Sequence, residues 1–123
     1  MEIKTKKAGE VIVLEITGRI DAFTSEKLEA ELHSIMNAGK LKFVINFEKT
    51  NYISSSGLRV FLGSHKKLSE NKGQIKFSNM PDPVLKVFAL AGFDKIFEIY
   101  STEKEALEDF NETESEPKKQ SYA

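Results

Sequence analysis

The sequence contains no cysteine and only two histidines, His33 and His65, among its 123 residues. Without cysteine there is neither a disulfide framework nor a thiolate ligand for a metal. The two histidines lie far apart in the sequence and lack the short spacing of a metal-ligand pair. We therefore expect a protein that holds no metal and no cofactor.

A strong net charge and long apolar runs are also lacking. Lysine and arginine total 18 and aspartate and glutamate 19, so the formal net charge is −1, which argues against nonspecific binding of nucleic acid. No apolar run is long enough to span a bilayer, and the first residues show no signal-peptide pattern. The sequence predicts a cytoplasmic protein that binds neither nucleic acid nor a membrane directly.

What the sequence does contain is an alternation of strand and helix patterns, with 40% hydrophobic residues in a chain long enough for one domain. The β-branched run at 11–16 follows a turn at 8–10. Residues 2–6 are placed to pair with this run as a hairpin, and residues 18–21 then leave the strand. The chain is therefore predicted to open with two strands.

The first helix is predicted over residues 25–38, with Thr24 or Ser25 as its N-cap and Gly39 at its end. Its apolar residues recur at helical spacing. The strand that follows, over residues 41–47, is almost continuously apolar, which is typical of a strand covered on both faces in a parallel sheet.

The remaining elements continue the alternation. In order, we predict a helix from the serines at 54–56 to about residue 70, a strand over 74–78, a helix opened by Pro81 and Pro83, a strand over 95–100, and a last helix from 102 to about 110. The order β-β-α-β-α-β-α-β-α predicts an α/β domain over residues 1–110, with a mixed, mostly parallel sheet of four or five strands and four helices. The polar residues 111–123 are predicted to form a disordered tail.

Three loops of this predicted domain follow strands, at residues 18–24, 48–56 and 79–82. Loops at the carboxyl ends of parallel strands lie at one edge of the sheet, where binding sites tend to form. We therefore expect these loops to converge on one surface.

Ser54, Ser55 and Ser56 stand at a predicted helix start, and the pattern admits two interpretations. A serine there is commonly an N-cap whose oxygen accepts a bond from a backbone N–H. The same position favours negative charge, so a phosphate added there is held locally and displayed outward. Local pattern alone does not choose between a plain cap and a phosphorylation switch.

A catalytic role for these serines lacks support in the sequence. There is neither a Gly-x-Ser-x-Gly nucleophile elbow nor a phosphate-binding glycine loop. His65 lies about ten residues along the same predicted helix, which at about 1.5 Å per residue is too far to activate Ser55. We expect a protein that is not an enzyme.

Four segments, taken in order, resemble a known family. They are Gly18-Arg19-Ile20-Asp21, residues 43–47, Tyr52-Ile53-Ser54-Ser55-Ser56-Gly57-Leu58, and Ala91-Gly92-Phe93-Asp94-Lys95-Ile96-Phe97. The combination resembles the STAS domain, the sulfate transporter and anti-sigma factor antagonist family, and within it the stand-alone bacterial anti-anti-sigma factors. The resemblance covers about residues 2–110.

The resemblance implies a partner switch. The unphosphorylated antagonist binds an anti-sigma factor that has serine kinase activity, and so frees the sigma factor. The kinase then phosphorylates a serine at this helix N-terminus and the complex separates, after which a serine phosphatase resets the system. Mapped onto this sequence, the acceptor is Ser55, with Ser54 and Ser56 as its neighbouring alternatives.

This chain departs from the family pattern at two positions. Ser54 stands where the family carries an aspartate just before the acceptor, and Asn46 where many members carry an aspartate in the strand. Ser54 removes a carboxylate beside the acceptor and leaves three adjacent hydroxyls. Asp21, in contrast, is similar to the family's loop aspartate that faces the kinase partner.

The resemblance and the expected convergence of loops together give a set of partner-binding residues. They are Asp21, Phe23, Thr24, Ser54, Ser55, Ser56, Gly57 and Arg59. A phosphate on Ser55 would stand at the centre of this flat surface and be costly to desolvate on binding.

Several of these residues have a structural alternative. Asp21 is equally a turn or cap residue, Phe23 could pack under the first helix, and Arg59 could simply be solvated. Gly57 is expected to serve close packing. Tyr52 and Ile53 are expected to lie at the edge of the core.

The serine in place of the family aspartate also leaves a second function open. The chain could be a constitutive, unphosphorylated binding module or a scaffold subunit of a signalling complex. A third alternative, a small-ligand sensor, finds no polar pocket to support it in the sequence.

Overall fold

The computed structural model describes residues 1–115. This part of the chain forms six strands and four α-helices. The strands are β1 (Glu2–Ala8), β2 (Val11–Ile20), β3 (Lys42–Asn46), β4 (Thr50–Ile53), β5 (Gln74–Ser78) and β6 (Glu98–Tyr100). The helices are α1 (Ala22–Asn37), α2 (Ser55–Glu70), α3 (Asp82–Leu90) and α4 (Glu103–Ser115), with a 3₁₀ turn at Phe93–Lys95.

The sheet has the order β1-β2-β3-β5-β6. β1 runs antiparallel to β2 as a hairpin, and the pairs from β2 to β6 are parallel. β4 lies off this path and pairs in parallel with the last residues of β2. The predicted mixed, mostly parallel α/β sheet is confirmed.

Helices cover both faces of the sheet, as the apolar run in β3 predicted. One face carries the large core, in which Phe43, Ile45 and Phe77 pack against α1, α2 and α3. At its centre five phenylalanine rings stand 4.8–6.5 Å apart, mostly edge to face: Phe47, Phe61, Phe77, Phe88 and Phe97. The other face is covered by α4 through a small apolar cluster that includes Val44 and Phe110.

Several strand predictions differ from the structure. The sheet has six strands instead of four or five, and β6 begins at Glu98 instead of residue 95, because residues 93–95 form a 3₁₀ turn.

Residues 50–53 were expected to form a loop, but they form β4. The sequence did not indicate this strand because four residues, of which only Thr50 and Ile53 are buried, are too few to show a clear alternation. β2 was expected to end before Gly18. Instead Gly18 adopts a φ of +101° at a register shift, so the glycine marks a bulge inside the strand and pairing continues to Ile20.

Two helix boundaries also differ. α1 begins at Ala22 and its N-cap is Asp21, so the prediction of Thr24 or Ser25 as the cap was wrong. α4 continues to Ser115, which makes the predicted tail wrong for residues 111–115. The first proline after the start of α4 is Pro117, and until then no residue breaks the helix. Residues 116–123 of that tail lie outside the described residues.

A polar cluster fixes α4 to the sheet. The Lys76 ammonium in β5 is 1% exposed and lies 2.6 Å from Asp109 Oδ2 of α4 and 2.9 Å from Glu98 Oε1 of β6. The Tyr100 hydroxyl donates to the same Asp109 oxygen at 2.6 Å. A buried charge is tolerated only when it is paired in this way, so the cluster sets the position of α4.

Removing Asp109, the partner of the buried ammonium, is expected to cost more than removing the ammonium of Lys76. Without Asp109 a buried charge loses its partner, whereas without Lys76 the remaining carboxylate is 37% exposed and stays hydrated. We predict that Asp109→Asn lowers the free energy of unfolding by about 2 kcal/mol, the scale of a lost charge-assisted hydrogen bond. Lys76→Met, which replaces the ammonium by a stem of similar size, is expected to change it by less than about 1 kcal/mol. Urea unfolding of the two variants measures the difference, and a larger loss for Lys76→Met would contradict it.

Acid is expected to loosen the same face. The hydrogen bond from Lys76, followed by that from Tyr100, lowers the pKa of Asp109 from its ordinary 3.8. Burial would raise the pKa of Glu103, but hydrogen bonds from Lys6 and Asn46 outweigh it and the pKa lies below its ordinary 4.5. Both carboxylates therefore stabilise the fold above the unfolded-chain pKa, and this contribution disappears as the pH falls through the lower, folded-state pKa.

We predict that the melting temperature falls below about pH 4.5 and that Lys76→Met makes this fall shallower, because the substitution removes the main cause of the lowered pKa of Asp109. Thermal unfolding followed by circular dichroism between pH 7 and pH 2.5 tests this. Parallel curves for the two proteins would show that the cluster does not cause the acid sensitivity.

Candidate functional site

The pairing of β2 with β4 places the starts of two helices side by side. Arg19 is opposite Tyr52 and Ile20 is opposite Ile53. The ladder ends where the backbone N–H of Ser54 donates to the carbonyl of Ile20 at 2.8 Å. Because α1 and α2 begin directly after these strand ends, the two loops predicted to converge are brought together.

The third loop, residues 79–82, contributes to a different place. Its Met80 lines a separate hollow with Leu85, Ile99 and Tyr100. The loop at residues 79–82 leads into α3, and α3 packs against β4. The candidate site around Ser55 is therefore built from the first two loops.

Asp21 is the N-cap of α1. Its Oδ1 accepts the backbone N–H of Thr24 at 2.9 Å, and the Asp21 N–H donates to the Thr24 hydroxyl at 2.8 Å, which completes a capping box. The hydrogen bonds from Thr24, then that from Phe23, lower the pKa of the Asp21 carboxyl, which therefore stays ionised at neutral pH. The cap role proposed as one alternative is real. The carboxylate remains 39% exposed, so contact with a partner stays a prediction.

Phe23 is on the outside of the first turn of α1. Its side chain is 84% exposed, so the alternative in which it packs under the helix is wrong. An aromatic ring at this exposure contributes little to the core, and it lies directly after the cap residue Asp21. Phe23 is available for contact with another molecule.

The three serines occupy different environments. Ser54 is the N-cap of α2, and its Oγ accepts the Gly57 N–H at 3.3 Å. Ser55, the first helical residue, is exposed. Ser56 is half-buried and lines a shallow groove between α1 and α2 with Glu29 and Arg59.

Gly57 lets the first turn of α2 lie directly on the paired strands. A Cβ at this position would stand 2.7 Å from Ile20 Cγ2 and 2.8 Å from Ile53 Cγ1, both of which belong to buried side chains. The expectation that Gly57 serves close packing is confirmed. Gly57 affects the site indirectly, because the close approach of α2 to the strands sets the position of the three serines.

Arg19 and Tyr52 form a feature of the surface that the sequence did not reveal. The guanidinium carbon of Arg19 lies 4.2 Å from the centre of the Tyr52 ring, which is 39% exposed. Ile53 is buried as expected, but Tyr52 is not a core-edge residue. The sequence pattern that could have shown this contact is the alternation along the two paired strands. Ile20 and Ile53 point inward, so their neighbours Arg19 and Tyr52 point outward. The pattern can be recognised only when β4 is known to be a strand.

The described residues also bear on a possible metal site and on the place of His65. Among residues 1–115, no group of three or more histidine, aspartate or glutamate side chains is arranged to hold a metal ion. His65 lies with its ring 5.2 Å from that of Phe97, at the boundary of the core. No helix among the described residues is both long and apolar enough to cross a membrane.

The structure is that of a small α/β domain in which two capped helix N-termini lie side by side and Ser55 is exposed at one of them. The model of the STAS domain family matches residues 2–106, and the chain belongs to this family.

Curated relatives cover most of the chain. BtrV of Bordetella bronchiseptica is 29% identical over 110 residues, which are 89% of this chain and 95% of that protein. The anti-sigma-B factor antagonist of Listeria monocytogenes is 27% identical over 105 residues, 85% of this chain and 91% of the relative. The chain is thus similar to proteins of nearly its own length.

Solved structures show the same fold. Unphosphorylated SpoIIAA, an anti-sigma factor antagonist, superposes with a TM-score of 0.80 at 23% identity, covering 89% of this chain and 96% of that one. The phosphorylated form of the Bacillus protein SpoIIAA gives a TM-score of 0.72 at 23% identity, covering 89% and 99%. At this level of identity the likeness establishes the architecture.

The close approach of α2 to β2 and β4 at Gly57 can be tested with two glycines of the same helix, Gly57 and Gly63. We predict that Gly57→Ala lowers the free energy of unfolding by about 1–3 kcal/mol, because the new Cβ stands too close to two buried isoleucines and the packing must shift to admit it. Gly63→Ala is the matched control, since a Cβ there has no heavy atom within 4 Å. The control is expected to gain up to about 1 kcal/mol from helix propensity.

Denaturant unfolding of both variants measures the two effects. Equal stability of Gly57→Ala and the unmodified protein would mean that α2 can shift off the strands without cost, and would remove the reason given for the position of the serines.

Proposed function

We propose that this protein is an anti-sigma factor antagonist that works by partner switching. In its unphosphorylated form it binds an anti-sigma factor that has serine kinase activity. Phosphorylation of Ser55 ends the binding, and a serine phosphatase restores it. The protein itself acts in the cytoplasm by binding rather than by catalysis. Support comes from membership of the STAS family and from relatives named as anti-sigma factor antagonists.

The observation that carries the proposal is the exposure of Ser55 between two capped helix starts. Ser54 uses its Oγ to cap α2, and Ser56 is half-buried in the groove beside α1. A kinase needs an accessible hydroxyl, and of the three serines only Ser55 is exposed. Ser55 is therefore the acceptor we propose, and it lies one residue after the cap, where a negative charge is favoured by the helix dipole.

Release of the partner follows from charge rather than from a change of shape. A phosphoserine carries about −1.5 to −2 charges and three strong acceptor oxygens. The hydrogen bonds that hold the two caps do not involve the Ser55 hydroxyl. A phosphate can therefore be added without breaking them, and its desolvation against a partner is costly.

The residues around Ser55 complete the proposed binding surface. Asp21 and Thr24 fix the start of α1, and Phe23 projects beside them. Arg59 is exposed one turn along α2, and Gly57 sets the height of that helix on the sheet. Contacts of Asp21, Phe23 and Arg59 with the anti-sigma factor are part of the proposal.

One observation favours a second candidate, a constitutive STAS binding module or scaffold subunit. Ser54 caps α2 as an aspartate would, but it brings no charge to the acceptor. If the kinase reads a carboxylate at that position, this chain would bind its partner and never be modified. ATP separates the two candidates, because only a switch is released by it.

The test uses the tagged, full-length protein in lysate of the source cells, with and without ATP. We predict capture of an anti-sigma factor without ATP, its release with ATP, and phosphate on Ser55 by mass spectrometry. Ser55→Ala should retain the partner in ATP, whereas the control Ser56→Ala should be modified and released like the unmodified protein.

The opposite pattern would favour the scaffold. A partner retained equally with and without ATP, and no phosphate on any of the three serines, would contradict the switch while leaving a STAS binding module in place.

A further inference from the structure

The stacked pair of Arg19 and Tyr52 has no evident role in holding the fold. The Arg19 side chain is 60% exposed and the Tyr52 ring lies on the outer side of β4. The next pair along the same two strands, Ile20 and Ile53, is buried and belongs to the core. The contact between Arg19 and Tyr52 therefore lies outside the core and is not needed to fill it.

The Arg19 guanidinium has a contact within the protein before any partner arrives. It is held over the Tyr52 face at 4.2 Å, and the strand register sets the two residues opposite each other. Binding through a side chain that is already ordered loses less conformational entropy than binding through a free arginine. Ordered arginine and tyrosine side chains are also the residue types most enriched among residues that dominate binding energy.

The donors of this guanidinium remain available. Asp21 Oδ2 lies 3.9 Å from Arg19 Nε, which is an ion-pair distance but beyond hydrogen-bond range. The Arg19 side chain is 60% exposed, so another molecule can reach its N–H groups. Those groups match the two oxygens of a carboxylate, which arginine binds in a bidentate manner.

We propose that Arg19, which lies over the ring of Tyr52 and beside Asp21, is a second anchor of the partner-binding surface and receives a carboxylate of the anti-sigma factor. The inference rests on the function proposed above. The chain has a net charge of only −1, so it exerts no strong general attraction and recognition depends on local pairs such as this one.

The test measures the dissociation constant for the anti-sigma factor that the ATP-free capture identifies, purified and titrated by calorimetry. We expect Arg19→Gln to raise the dissociation constant at least about tenfold. Arg19→Lys should be nearly as weak, because lysine keeps the charge but has neither the planar fork nor the stack. Lys66→Gln, which removes an exposed positive charge elsewhere on α2, should stay within about twofold.

Two further variants separate binding from structure. Tyr52→Phe keeps the aromatic face and should bind like the unmodified protein, whereas Tyr52→Ala should weaken binding as Arg19→Lys does. The melting temperatures of all variants report whether the fold is intact. Weakening by Arg19→Gln, which removes the charge, should also be accompanied by a smaller dependence of the dissociation constant on salt.

The outcomes distinguish this inference from the proposed function. If the anti-sigma factor binds the unmodified protein and Arg19→Lys equally well, the arginine anchor is wrong and the switch stands. If no anti-sigma factor is captured at all, the proposed function fails and the anchor fails with it.

Discussion

The short pairing of β4 with the last residues of β2 is the constraint on which the rest of the site depends. It sets Ile20 against Ile53 in the core and ends in the hydrogen bond from Ser54 N–H to the Ile20 carbonyl. Gly57 then lets α2 rest on those two isoleucines without a Cβ between them. As a result two helix N-termini begin on one surface, and a serine between them is displayed on a rigid base rather than on a mobile loop.

Much of this fold is legible in the sequence because the period of the apolar residues changes clearly between strands and helices. The continuous apolar run in β3 and the helical spacing in α2 each predicted an element that the structure contains. Gly18 was misread because a glycine that ends a strand and one that makes a bulge have the same sequence signature. β4 was missed because four residues carry too little periodicity.

The sequence indicated roles that depend on nearby residues in the chain, but it did not indicate contacts between residues that are far apart in the sequence. The cap role of Asp21 was one of two alternatives open in the sequence, which placed the N-cap of α1 at Thr24 or Ser25 instead. Close packing at Gly57 was expected, and the structure adds that its neighbours are Ile20 and Ile53. The stack of Arg19 on Tyr52 and the pairing of Lys76 with Asp109 join residues 33 positions apart, which no local pattern announces. A buried lysine in β5 reads from sequence as an outward-facing residue until α4 is placed over it.

The central claim is that phosphate on Ser55 prevents binding through its charge while the fold is unchanged. The most direct measurement compares the unmodified protein with one that carries phosphoserine incorporated at position 55, by calorimetry with the purified anti-sigma factor and by two-dimensional NMR of the free proteins. The account predicts a dissociation constant raised by at least about a hundredfold, with backbone amide shifts altered only near the starts of α1 and α2. An unchanged dissociation constant, or shifts altered throughout the sheet, would contradict it.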